Sequence, residues 1–207
     1  MIKGVKICGV TDSETLKFIL NHPFPPKFIG FICNYKKSKR YVSYEHLREL
    51  TNINKKGVFF VSVLVNPDDE ILEKINNLPF DYYQLYDVEP ERTEVIKNRY
   101  KKKIISALTI ENMLDIKRYK IYENISDIIL FDGKGYEKSI SFDHKLLSNV
   151  SSSIEKMIAG NINIYKLPQI KNMDYIIDIS GALENKNGKK DIHKIDYFLN
   201  TIKKNET

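Results

Sequence analysis

Val5-Lys6-Ile7-Cys8-Gly9-Val10-Thr11-Asp12 decides how this chain is read. A short apolar run with β character ends in a thiol and a glycine, and Asp12 opens straight into a helical pattern over residues 13–20. In parallel α/β proteins the carboxyl ends of strands are where ligands and chemistry collect, while strand interiors are packing. Working outward from this unit, period-2 alternation and short apolar runs mark strands near residues 4–8, 28–33, 57–65, 81–85, 103–107, 127–131, 155–159 and 174–179. Period-3.6 patterns lie between them, most clearly over 13–20, 44–50, 68–77, 91–99, 110–119 and 195–202, several behind Asn, Asp, Ser or Thr caps.

Eight βα units in succession point to a closed (β/α)8 TIM barrel, because closure removes both edges of a parallel sheet. An open doubly wound sheet is the alternative. The 207 residues suit one barrel domain spanning 1–207, with shortened helices in the 141–172 region: 142–147 gives less than two turns, and 164–170 contains Pro168. Residues 203–207 read as a frayed end.

Composition narrows the partners. The net charge of +6 comes from lysines in short runs among acidic residues, which reads as a solvated surface suited to a small anionic substrate. A nucleic-acid module should interleave aromatic and basic residues on one face, and Tyr82-Tyr83 alone does not establish that. No stretch approaches the roughly 18 consecutive apolar residues of a membrane helix, and the amino terminus reads as a strand rather than a signal peptide. The expectation is a soluble cytoplasmic protein, monomer or homodimer, with no nucleic-acid or membrane partner. Cys8 and Cys33 make neither a disulfide framework nor a zinc-ligand pattern, and the four histidines form no cluster at strand ends, so no metal is expected.

The barrel geometry filters the functional candidates to residues just past each strand: Cys8-Gly9, Asn34 with Ser38 and Arg40, Asn66, Gln84, Ser106, Asp132, Gly160-Asn161 and Ser180-Gly181. Each has two readings. Cys8 is either a packed small hydrophobe or a thiol whose pKa is lowered by a helix amino terminus, available as base or nucleophile. Asp132, followed by Gly133-Lys134-Gly135, either caps a turn or carries chemistry. Arg40 is either a surface cation or a bidentate grip on a carboxylate. Gly160 and Ser180-Gly181 follow the seventh and eighth strands, where glycines let backbone N–H groups approach a phosphate; plain turns are the other reading. Cys33 ends the second strand as Cys8 ends the first, so oxidation could link or crowd them, provided that their side chains share a face.

Lys6-Ile7-Cys8-Gly9-Val10-Thr11 resembles the opening signature of the phosphoribosylanthranilate isomerase family of the tryptophan pathway. Gly30-Phe31, Ser38 to Ser43, Val61 to Asn66, Gln84-Leu85, Ile129 to Asp132, Ala159 to Asn161, and Asp178-Ile179-Ser180 through Glu184 with Gly188-Lys189-Lys190-Asp191 follow in that family's order. Departures are Ser38-Lys39-Arg40 for Ser-Pro-Arg, Tyr86-Asp87 for His-Gly, Ser180-Gly181-Ala182 for Ser-Ser-Gly, and a different loop after Asp132.

The resemblance implies a TIM barrel catalysing an Amadori rearrangement without metal or organic cofactor. It also implies Asp132 as general acid and Cys8 as general base. Arg40 would hold the anthranilate carboxylate, Gly160, Asn161, Ser180 and Gly181 the phosphate, and Gln84 would belong to the same binding set. The assignment asks for a raised Asp132 pKa and a lowered Cys8 pKa. Rival readings are another phosphate-sugar barrel isomerase or epimerase, and an inactive barrel acting as a binding protein.

Overall fold

Alternation along each strand sends one set of side chains into a barrel and the other against surrounding helices. The computed structural model describes residues 2–135, 142–151, 153–167 and 174–204. Eight parallel strands pair in chain order and close: β1 (Gly4–Cys8), β2 (Phe28–Ile32), β3 (Phe59–Val65), β4 (Tyr82–Tyr86), β5 (Lys103–Ile110), β6 (Ile128–Gly133), β7 (Lys156–Ile158) and β8 (Ile176–Ile179), with β1 against β8. The described helices are α1 (Ser13–Asn21), α2 (Tyr44–Leu50), α3 (Asp69–Asn76), α4 (Pro90–Tyr100), α5 (Met113–Lys117), α6 (Tyr119–Tyr122) and α7 (Ile192–Lys204). The expected TIM barrel is thus the fold.

Local chemistry sets the helix starts. Asp12, Ser43 and Asp68 each accept a backbone N–H from the first turn of α1, α2 and α3, and Pro90 opens α4 where a missing N–H costs nothing. The helix expected over 110–119 is corrected. Ile110 ends β5, and a capping box between Asn112 and Asp115 starts α5 at Met113; a second short helix, α6, follows. In the 141–172 region the described residues form 3-10 turns, His144–Asn149 and Ile164–Lys166, in agreement with the expected shortening. Positions 141, 152 and 168–172 of that region, 136–141 after Asp132 and 205–207 at the end lie outside the described residues.

The strand registers stack the barrel interior in layers, the arrangement usual for this fold. Phe28, Tyr82, Ile128 and Ile176 close the bottom, with the Tyr82 ring edge-on to Phe28 at 5.3 Å between centroids. Above them come Lys6, Val61, Ile105 and Met157, then Gly30, Gln84, Leu130 and Asp178, then Cys8, Val63, Ala107 and Ala159. Tyr86 and Asp132 continue their strands at the mouth.

This alternation corrects the proposed link between the cysteines. Cys8 belongs to the interior cluster and Cys33 to the cluster between barrel and helices, where its thiol donates to the Phe31 carbonyl at 3.2 Å. They stand on opposite sides of the wall, and a disulfide cannot span it without moving backbone.

Candidate active site

A cavity of about 670 Å³ opens at the carboxyl ends of the strands. Cys8, Arg40, Asp132, Gly160, Asn161, Ser180 and Gly181 all line it, so the fold gathers seven residues from five separate places in the chain. Gln84 is the exception among the expected binders. It lies fully buried, and its amide Nε2 donates to the Tyr86 hydroxyl at 3.3 Å. The reason is register: Gln84 points inward two residues before Tyr86, which covers it.

Cys8 sits among charges. Lys6, two residues earlier on the same face of β1, is completely buried, and its Nζ lies 2.8 Å from Asp178 Oδ2. Burial opposes the lysine's charge, yet Asp178 and Cys8 outweigh it and hold Lys6 above the usual lysine value. The expected lowering of the Cys8 pKa by a helix terminus is corrected. Asp12 caps the amino end of α1, which starts at Ser13, and burial pushes the thiol above its ordinary value. Lys6 is the main influence pulling it back down, with Lys190 a lesser one and Asp178 opposing. The cation that favours a thiolate is therefore inside the barrel.

Room for this cluster comes from Gly30, the register partner of Cys8. A Cβ at Gly30 would stand 3.0 Å from Cys8 Sγ and 3.0 Å from both Lys6 Cε and Nζ. Across the mouth, Tyr86 donates its hydroxyl to Asp132 Oδ2 at 2.9 Å.

Arg40 grips a carboxylate that belongs to the chain itself. Its Nε and Nη2 both donate to Glu184, Nη2 at 3.2 Å, and Lys190 Nζ donates to the same carboxylate at 2.9 Å. Burial works against the Glu184 charge, but Arg40 and Lys190 overcome it and bring its pKa down to about 2. Lys190 also donates to the Ser180 carbonyl at 3.1 Å, and the Ser180 hydroxyl donates to the Cys8 carbonyl at 3.0 Å. One network thus fixes the guanidinium, the β8 loop and the end of β1. On the neighbouring loop, Gly160 (φ 94°) and Asn161 (φ 53°) take the left-handed conformation in succession.

Sequence reasoning missed roles for Lys6, Tyr86, Asp178, Glu184 and Lys190. A signal existed for two of them: Lys6 and Asp178 are charged residues at inward positions of otherwise apolar strands, and buried charges are rarely placed without a partner.

Comparison with known proteins places the chain as a whole. The family model of N-(5'phosphoribosyl)anthranilate (PRA) isomerase matches residues 5–201. A relative from Rhizobium etli named N-(5'-phosphoribosyl)anthranilate isomerase is 31% identical over 213 residues, covering 98% of this chain and 95% of its own. Phosphoribosyl anthranilate isomerase from Thermotoga maritima is similar in structure with a TM-score of 0.86 at 28% identity, over 99% of this chain and 100% of that one. A phosphoribosyl anthranilate isomerase in complex with reduced 1-(o-carboxyphenylamino)-1-deoxyribulose 5-phosphate gives 0.83 at 26% identity, with coverage of 99% and 100%. The chain belongs to the N-(5'phosphoribosyl)anthranilate isomerase family, the aldose-ketose isomerases of tryptophan biosynthesis.

Proposed function

We propose that this cavity carries out the Amadori rearrangement of N-(5-phosphoribosyl)anthranilate to 1-(o-carboxyphenylamino)-1-deoxyribulose 5-phosphate with Cys8 as general base and Asp132 as general acid. The observation that carries the assignment is that Cys8 from β1 and Asp132 from β6 line one cavity with the loops after β7 and β8. Asp132 gives its proton to the ribose ring oxygen, the C1–O bond breaks, and the amine lone pair forms the protonated imine. The Cys8 thiolate then takes the C2 proton, and those electrons flow to the imine nitrogen to give an enolamine. The enol hydroxyl loses its proton as C1 gains one, so the product is an isomer and no proton is consumed.

The substrate is anionic at both ends. Backbone N–H groups of Gly160, Asn161, Ser180 and Gly181 receive the phosphate, and Arg40 receives the anthranilate carboxylate, its orientation set by Glu184. Fixing the two ends holds C1 and C2 between thiol and carboxyl, so remote binding energy serves the reacting centre. Burial raises the Cys8 pKa and Lys6 is the main influence opposing that rise, so the thiolate that this step uses depends on Lys6. We place the enzyme in the cytoplasm, where a phosphorylated substrate and two free cysteines are both at home.

The test is the decay of phosphoribosylanthranilate fluorescence, with substrate generated in place, for the wild type, Cys8→Ala and Asp132→Asn. Rapid decay lost in both variants is the expected result. Decay that survives in either folded variant removes that residue from the acid–base pair.

A further inference from the structure

The Tyr86 hydroxyl is held from both sides. It donates to Asp132 Oδ2 at 2.9 Å and accepts from Gln84 Nε2 at 3.3 Å, and both Tyr86 and Gln84 are buried. Cys8 of β1, Asp132 of β6 and Asp178 of β8 all act on this hydroxyl electrostatically, and Lys6 is paired to Asp178. Burial first, and those three acidic groups after it, keep Tyr86 well above the ordinary tyrosine pKa, so it remains a donor across the working range.

We propose that Tyr86 is a positioning residue for the general acid: its hydroxyl, oriented by Gln84, holds the Asp132 carboxyl and stabilises the carboxylate left when the proton passes to the ribose ring oxygen. This rests on the assignment of Asp132 as the acid. When the proton leaves, the ring C1–O bond breaks, its electron pair stays on oxygen as the new hydroxyl, and one negative charge remains on Asp132. Hydrogen bonds to a charged acceptor are stronger than those to a neutral one, so the Tyr86 contact tightens as the reaction proceeds. An interaction that strengthens towards the transition state raises kcat rather than binding.

The experiment compares kcat, KM and the pH profile of kcat for the wild type, Tyr86→Phe and Asp132→Asn, with folding checked by circular dichroism. Tyr86→Phe keeps the ring and removes the donor. The expected result is a kcat loss of roughly 10- to 100-fold with KM changed less than about threefold. One limb of the profile moves to higher pH by about one unit, because an acid whose anion has lost a donor has a higher pKa. A folded Tyr86→Phe enzyme with both limbs unmoved overturns the proposal, whatever its kcat. If that variant does not fold, Gln84→Met, which frees the hydroxyl rotor without deleting it, is read in the same way. It should move the same limb in the same direction, and an unmoved profile overturns the proposal. Asp132→Asn separates the two levels: activity surviving there refutes the acid assignment, whereas an inactive Asp132→Asn beside an unmoved Tyr86→Phe profile confines the failure to Tyr86.

Discussion

Lys6 on β1 and Asp178 on β8 are register partners, and their side chains meet at 2.8 Å inside the barrel, beneath the thiol of Cys8. The pair brings a cation to the thiol without exposing it to water. Lys6→Met should therefore move the midpoint of Cys8 alkylation by iodoacetamide to higher pH by roughly one unit or more. It should also destabilise the fold by about 3–5 kcal/mol, because Asp178 is left buried without its counter-ion. Adding Asp178→Asn should restore stability but not the reactivity of the thiol. An alkylation midpoint that stays in place would show that Lys6 does not tune Cys8.

Gly30 should tolerate no side chain. A methyl group there contacts Cys8 Sγ and the Lys6 ammonium at 3.0 Å, so Gly30→Ala displaces the thiol and its neighbouring cation together. The expected outcome is a kcat loss of about tenfold or more with an overpacking cost of roughly 1–3 kcal/mol. Steady-state kinetics beside a urea melt separates the two effects, and wild-type kcat in a folded variant would contradict the crowding argument.

Glu184 links binding to acid stability. Its pKa falls from 4.5 to about 2 on folding, so its contribution is complete above the unfolded value and is lost as pH drops from 4.5 towards 2. Glu184→Gln should cost on the order of 2–3 kcal/mol at neutral pH, with the gap to wild type closing by about pH 2. Unfolding in urea at several pH values measures this. The same variant releases Arg40 from its clamp, and KM for phosphoribosylanthranilate should rise by about tenfold. A stability difference independent of pH would dissociate Glu184 from the linkage.

Gly160 has a φ of 94°, which a side chain adopts only with strain. Gly160→Ala should cost roughly 1 kcal/mol or more and turn the loop N–H groups away from the phosphate position proposed above. KM should rise more than kcat falls, and inhibition by inorganic phosphate should weaken. Unchanged phosphate inhibition would take this loop out of the phosphate site.

The order of strands and most helix starts were legible in the chain because they depend on short-range chemistry. Alternating apolar residues gave eight strands, and Asp12, Ser43 and Asp68 announced helices that the structure begins within one residue of them. The miss at 110–119 has a local cause as well. The Asn112–Asp115 box cuts off an apolar run that continues β5, and period alone cannot divide strand from helix there.

The candidate site was legible as a set of positions, since strand ends of a parallel barrel converge on one mouth whatever the side chains are. Cys8, Arg40, Asp132 and the loops at Gly160 and Ser180 followed from that rule together with the signature at the amino terminus. What surrounds them did not follow. The proximity of Lys6 to Asp178, of Tyr86 to Asp132 and of Arg40 to Glu184 links residues 172, 46 and 144 positions apart, and barrel closure sets each of these contacts. The electrostatics of Cys8 depend on burial, which raises its pKa, and on cations brought from other positions, which lower it, so a helix terminus nearby in sequence was the wrong place to look for its tuning. Local pattern determined the barrel and the address of its chemistry. The tertiary structure decided which charges meet inside it, because Coulomb and desolvation energies depend on distance and solvent access, and neither is written in the order of residues.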